Sequence, residues 1–174
     1  MKQLLASLAT LLTFGGLAVA GPVISKNPIV DPRCECFATG LGVGGFVSGI
    51  LWDGDQYDDD ALGGGVDLTY FFTENLGVNY SYSVFGTDSE KHVNALDFVY
   101  RMPLGNSCLA PYFLGGGGVI SNGSNLGLWR AGVGAEYRLP NWNCSAIFAD
   151  ATWNWISTND DDAAIVRLGY RVQF

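Results

Sequence analysis

The stretch AIVRLGYRVQF, residues 164–174, divides into two sets when read alternately. Ala164, Val166, Leu168, Tyr170, Val172 and Phe174 form an apolar set, while Arg167, Arg171 and Gln173 stand around Gly169 in the other. Period-two alternation marks a β-strand with two unlike faces. In most sheets the apolar face meets a protein core and the arginines meet water. Whether that orientation holds here is decided by the rest of the chain.

At 174 residues the chain has the length of one domain, and 48% of it is hydrophobic. Its 24 glycines, 13% aromatic content and only three lysines point to an all-β protein with close backbone approaches. The N-terminal MKQLLASLATLLTFGGLAVAG has Lys2, an apolar run from Leu4 to Leu17 and an Ala18-Val19-Ala20 site, the pattern of a secretory signal cleaved after Ala20. Residues 1–20 are therefore expected to be a signal peptide, 21–36 a periplasmic segment and 37–174 the barrel domain. Removing Lys2 shifts the charge from 9 − 17 = −8 to 8 − 17 = −9, which argues against nucleic acid as a partner.

Eight alternating segments follow, at about 37–51, 61–72, 76–86, 93–102, 109–120, 127–139, 144–156 and 164–174. Their connections alternate between long polar loops, such as WDGDQYDDD (52–60), GTDSEKH (86–92), SNGSN (121–125) and STNDDD (157–162), and tighter turns at TEN (73–75), PLGNS (103–107) and PNWN (140–143). An even strand number with that rhythm predicts an eight-stranded antiparallel up-and-down barrel.

One face of these segments is apolar, as in Leu76, Val78, Tyr80, Tyr82 and Val84, while the other is mostly Gly, Ser and Thr. The second face also carries every charge assigned to a strand: Asp67, Asp97, Arg101, Arg130, Glu136, Arg138, Asp150, Arg167 and Arg171. A soluble barrel would need a Lys- and Glu-rich exterior, which this set does not supply. Four acids and five arginines suit a narrow interior where opposite charges pair and glycines make room for guanidinium groups. The apolar face then meets lipid, and the fold expected is a transmembrane β-barrel with a polar, side-chain-filled lumen. Aromatics cluster at strand ends, with Trp52, Trp129, Trp153 and Trp155 at one rim and Tyr70, Phe72, Tyr100, Tyr137 and Phe174 at the other, as two interfacial girdles require.

With GLGVGGFV (40–47), APYFLGGGGV (110–119), WRAGVGAEYRL (129–139) and RLGYRVQF (167–174), the chain resembles the eight-stranded outer-membrane barrel family of OmpA-like and opacity-type surface proteins. The resemblance covers the mature chain and leaves no segment for a peptidoglycan-binding domain. It implies residence in the outer membrane, contact with lipid and lipopolysaccharide, and a C-terminal assembly signal at Leu168, Tyr170, Val172 and Phe174 read by the barrel assembly machinery.

Under the strand map, Cys34, Cys36, Cys108 and Cys144 all fall at the periplasmic end. Each of Cys34 and Cys36 is expected to pair with one of Cys108 and Cys144, in either order, in a compartment that permits disulfides. Ten of the seventeen acids lie in outer loops, Asp53, Asp55, Asp58, Asp59, Asp60, Asp88, Glu90, Asp160, Asp161 and Asp162, opposed directly by Lys91. Such a rim is soluble and offers oxygen ligands to divalent cations, but DGDQYDDD is no EF-hand loop, since Asp58 stands where that loop needs Gly. No cofactor is expected. His92, the single histidine, lies beside Glu90 and Ser89, a grouping any loop of this composition would offer, so the chain is not expected to be an enzyme. Glycine runs at 63–65 and 115–118 lack the Lys-Ser/Thr of a phosphate loop. The expected role is structural or surface-interacting, through envelope integrity or contact with lipopolysaccharide, host or matrix, and not a large pore. A barrel passing small hydrophobic molecules is the alternative, followed by a lipid A-modifying enzyme.

Overall fold

A computed structural model describes residues 37–53, 60–86, 90–105, 107–121, 123, 125–139, 142, 144–157 and 162–174. Eight strands run in chain order: β1 Gly40–Asp53, β2 Ala61–Phe71, β3 Leu76–Phe85, β4 Lys91–Arg101, β5 Leu109–Ser121, β6 Asn125–Arg138, β7 Ser145–Ile156 and β8 Asp162–Gln173. Each pairs antiparallel with its sequence neighbours, and β1 pairs β8 from Gly42↔Gln173 to Asp53↔Asp162, closing the barrel. No helix among the described residues is long and apolar enough to cross a membrane, whereas strands of this kind cross as a closed cylinder that leaves no edge unpaired.

The alternation has the predicted hand. Leu62, Phe98, Trp129 and Leu168 stand exposed on the outer wall, whereas Asp67, Arg101, Glu136 and Arg167 are buried inside. Strand boundaries follow the eight expected segments to within two residues, apart from the start of β1, which lies three residues later. The start of β1, the end of β8 and the connections β2–β3, β4–β5 and β6–β7 mark one rim, the terminal end; the connections β1–β2, β3–β4, β5–β6 and β7–β8 mark the other, the loop end.

Inside, the lumen is polar only in part. Towards the loop end Ile50, Trp52, Ala61, Phe85, Val93, Ile120, Leu128, Ile156, Ala163 and Ile165 pack into a continuous apolar cluster. The expectation of a polar lumen therefore holds for the middle and the terminal end and is corrected at the loop end. Two strand extensions add to the inward set there. β1 runs on to Asp53, so Trp52 keeps phase with Ile50 and turns inward instead of joining the rim girdle. β4 begins at Lys91, which is thereby drawn from the loop into the lumen, its Nζ 4.5 Å from the centre of the Trp52 ring. Burial of an ammonium is tolerable there because the aromatic face supplies attraction.

Lumen glycines make room chiefly for aromatic rings, a second correction. Phe46 is paired with both Gly65 and Gly169, Phe85 with Gly63, Phe71 with Gly77, Tyr112 with Gly134 and Phe148 with Gly169. A Cβ at Gly134 would come within 2.5 Å of Tyr112 Cζ, and one at Gly169 equally close to Phe148 Cζ. Each ring thus reaches over a neighbouring strand whose missing side chain gives it space. That fills a barrel too narrow for two large residues side by side.

Candidate functional site

All nine strand charges picked out by alternation face the lumen and are buried. β6 carries Glu136 near the terminal end, where three guanidinium groups converge on it: Arg101 Nη1 from β4 at 2.7 Å, Arg138 Nη2 at 3.0 Å and Arg171 Nη1 from β8 at 3.3 Å. Arg171 is shared, because its Nε and Nη2 also donate to Asp67 Oδ2 on β2. Asp67 is held in turn by Thr69 Oγ1 at 3.1 Å and Asn79 Nδ2 at 3.0 Å. Nearer mid-barrel, Arg167 grips Asp150 through Nε at 2.7 Å and Nη2 at 2.9 Å, and Tyr112 Oη donates to the same carboxylate at 2.7 Å. A third unit joins Arg130 on β6 to Asp97 on β4 in a two-point contact, with Ser81 accepting from Arg130 Nη2 at 3.0 Å.

Such two-point pairs are the strong form of the carboxylate–guanidinium contact. Their desolvation is offset only because nearly every group is engaged, so deleting one partner costs more than the pair contributes. Aromatic faces add what the carboxylates leave undone. Phe71 lies 3.7 Å from Arg101 Cζ, Phe148 4.5 Å from Arg171 and Phe46 5.2 Å from Arg167. These inward aromatics, together with Tyr112, escape a reading that looks only for charge, and Lys91 escapes one that begins β4 at residue 93. Their signal was their parity: Phe71 shares a phase with Asp67 and Thr69, and Phe148 with Asp150.

At the terminal end, the residues preceding β1 fold over the mouth. Phe37 is buried, with its ring 5.0 Å from Arg101 Cζ and 5.3 Å from Arg138 Cζ. The carbonyl of Ala38 accepts from Gln173 Nε2 at 2.7 Å and from Arg101 Nη2 at 3.4 Å. Cys108 and Cys144 bracket the same spot, since their carbonyls accept from the Arg138 backbone N–H and from Arg138 Nη1, both at 2.8 Å. Both cysteines are disulfide-bonded. Cys34 and Cys36, their expected partners, lie outside the described residues.

Among the described residues the middle of the lumen keeps a small opening. A cavity of about 10 Å³ touches Asn79, Tyr112, Asp150, Arg167 and Arg171. Asn79 Oδ1 and Arg167 Nη1 are buried without a protein partner, so an acceptor and a donor are available for one water, roughly what that volume holds. Of the loop acids, Asp53, Asp60, Glu90 and Asp162 are described, whereas Asp55, Asp58, Asp59, Asp88, Asp160 and Asp161 lie outside the described residues. The assembly-signal residues Leu168, Tyr170 and Phe174 are exposed on the outer wall, and Val172 shares their face.

Residues 35–174 match the family described as outer membrane protein beta-barrel domain. The chain belongs to that family. Among solved structures it is similar to Neisserial surface protein A (NspA), at 13% identity and a TM-score of 0.65, over 78% of this chain and 98% of that one. It is also similar to OprG of Pseudomonas aeruginosa, at 16% identity and a TM-score of 0.58, covering 79% and 96% of the two chains. Ail, the attachment invasion locus protein of Yersinia pestis, matches at 17% identity and a TM-score of 0.57, covering 79% and 99%. Likeness at these identities concerns the fold. Among curated proteins none matches. Family membership implies residence in the outer membrane.

Proposed function

We propose that this barrel is a closed structural or surface-interacting protein of the outer membrane, exported by its signal peptide, and not a pore or an enzyme. The carrying observation is the filled lumen: an apolar cluster at the loop end, an ion-pair network through the middle and Phe37 across the terminal mouth. Eight strands enclose a bore that side chains can fill, and here they do. Passage of small hydrophobic molecules is disfavoured by the same filling. A depression of about 460 Å³ on the outer wall, over Gly49 and between Leu62 and Leu168, is crossed by an unbroken ladder that pairs Ser48 with both Gly63 and Arg167. That leaves no sideways gap between strands.

In this reading the loop end faces outward and its acidic rim meets lipopolysaccharide, host or matrix, with divalent cations bridging to anionic partners. Cys34 and Cys36 tie the N-terminal segment to Cys108 and Cys144 on the periplasmic side, holding Phe37 in the mouth. Planar-bilayer recording of purified protein tests the closed lumen, and the expected result is no stable conductance of porin size. Surface binding is tested on whole cells, where loss of binding on exchanging the acidic loops for Gly/Ser sequence is expected and unchanged binding rejects the assignment.

A further inference from the structure

The outer wall is not equally apolar all round. On β8 it is apolar from Ala164 to Phe174, ten residues along a strand, which at about 3.4 Å per residue and a tilt near 40° spans about 25 Å, the height of the apolar band of such barrels. On β4 the outward apolar part runs from Leu96 to Met102, about 15 Å by the same estimate, and then Asn94 and His92 face outward. These two polar groups are organised by the neighbouring strand. Tyr80 Oη donates to Asn94 Oδ1 at 2.9 Å, and Tyr82 Oη lies 2.9 Å from His92 Nδ1, with the two rings stacked at 6.1 Å. Glu90 stands 3.9 Å from His92 Nε2.

A strip this short along β4, with Val84 beside His92 keeping the flanking wall apolar, gives a headgroup a place to reach down to its polar tips. The groups on offer select among headgroups. Asn94 keeps its amide donors, Glu90 is an acceptor with its side chain largely exposed, and the Tyr80 ring presents an apolar face. No cation joins them among the described residues of β3 and β4, because Lys91 points into the lumen. An amide, a carboxylate and aromatic faces without lysine or arginine suit hydroxyl groups better than phosphate.

We propose that Tyr80, Tyr82, Glu90, His92 and Asn94 form a site for the sugar headgroup of an outer-leaflet glycolipid, seated against the β3–β4 wall. The proposal rests on the loop end facing outward, as read above. Its test uses the full mature chain in nanodiscs of phosphatidylcholine containing either lipopolysaccharide or phosphatidylglycerol, whose glycerol headgroup also offers hydroxyls. Retained lipid is counted by native mass spectrometry, and the Asn94 side-chain amide is followed by NMR. Wild type is expected to retain lipopolysaccharide about tenfold better than the His92→Phe/Asn94→Leu double variant, with a shift of the Asn94 amide seen only in that arm. Equal retention by the two proteins, or the same amide shift with phosphatidylglycerol, overturns the proposal. Should the double variant fail to fold, the wild-type amide shift decides alone, and its absence overturns the proposal. Protease access to the loops on whole cells reports orientation separately, so a wrong orientation is told apart from a wrong site.

Discussion

The two halves of the lumen fill the same cylinder by opposite means. Towards the loop end Ile50, Phe85, Val93, Ile120 and Leu128 meet as they would in any soluble core, each contributing a modest amount through its buried area. Towards the terminal end Arg101, Arg138 and Arg171 surround Glu136, and the stability of each depends on the others being present. Apolar filling therefore degrades gradually, whereas ionic filling fails as a unit. A barrel with both has a tolerant end beneath its loops and an exacting end where the strand order starts and finishes.

The largest expected effect is at the shared anion. Glu136→Leu leaves three guanidinium groups short of a carboxylate and should cost about 3–5 kcal/mol in urea unfolding from detergent or liposomes. A loss no greater than that of Ile120→Val would erase the contrast between the halves. Reduction of the disulfide bonding at Cys108 and Cys144 should lower stability by about 2–4 kcal/mol per bridge, two bridges under the proposed pairing. Four titratable thiols in unreduced, denatured mature protein would refute the assigned pairing with Cys34 and Cys36. Next comes Gly169→Ala, whose added methyl meets the Phe148 ring and the Gly45 carbonyl and should cost about 1–3 kcal/mol by overpacking, with partial restoration by a paired Phe148→Leu. Phe37→Ala removes a ring from two guanidinium groups and should cost about 0.5–2 kcal/mol, read as faster hydrogen exchange around Arg138. Ile120→Val, at about 0.5–1.5 kcal/mol, sets the lower limit.

Most of the architecture was legible because membrane strands obey a period-two rule that a single sequence displays. Arg167 and Arg171 opposite Leu168 and Tyr170 fixed which face was inside, and the same parity carried through Asp67, Asp97 and Asp150. What stayed hidden depends on pairing across strands. Nothing in the sequence of β6 says that Glu136 would collect arginines from β4 and β8, because that follows from register and barrel closure. Lys91 and Trp52 were misplaced for a local reason, since both lie where a strand passes into a loop and one residue decides whether alternation continues. The inward aromatics drew no assignment because hydrophobicity alone does not distinguish a ring that meets lipid from one that covers a glycine on the next strand.

Cys108 and Cys144 both adopt left-handed backbone angles, with φ of 51° and 55°, which side-chain-bearing residues seldom take and glycine takes freely. This bears on how their covalent role can be isolated. An alanine or serine replacement removes a sulfur yet keeps the unfavourable turn, so two effects are superimposed. A glycine replacement relieves the turn while cutting the bond. Set side by side, the two variants separate what the crosslink contributes from what the backbone gives up to host it, and the pair forms a built-in control for any engineering of this rim.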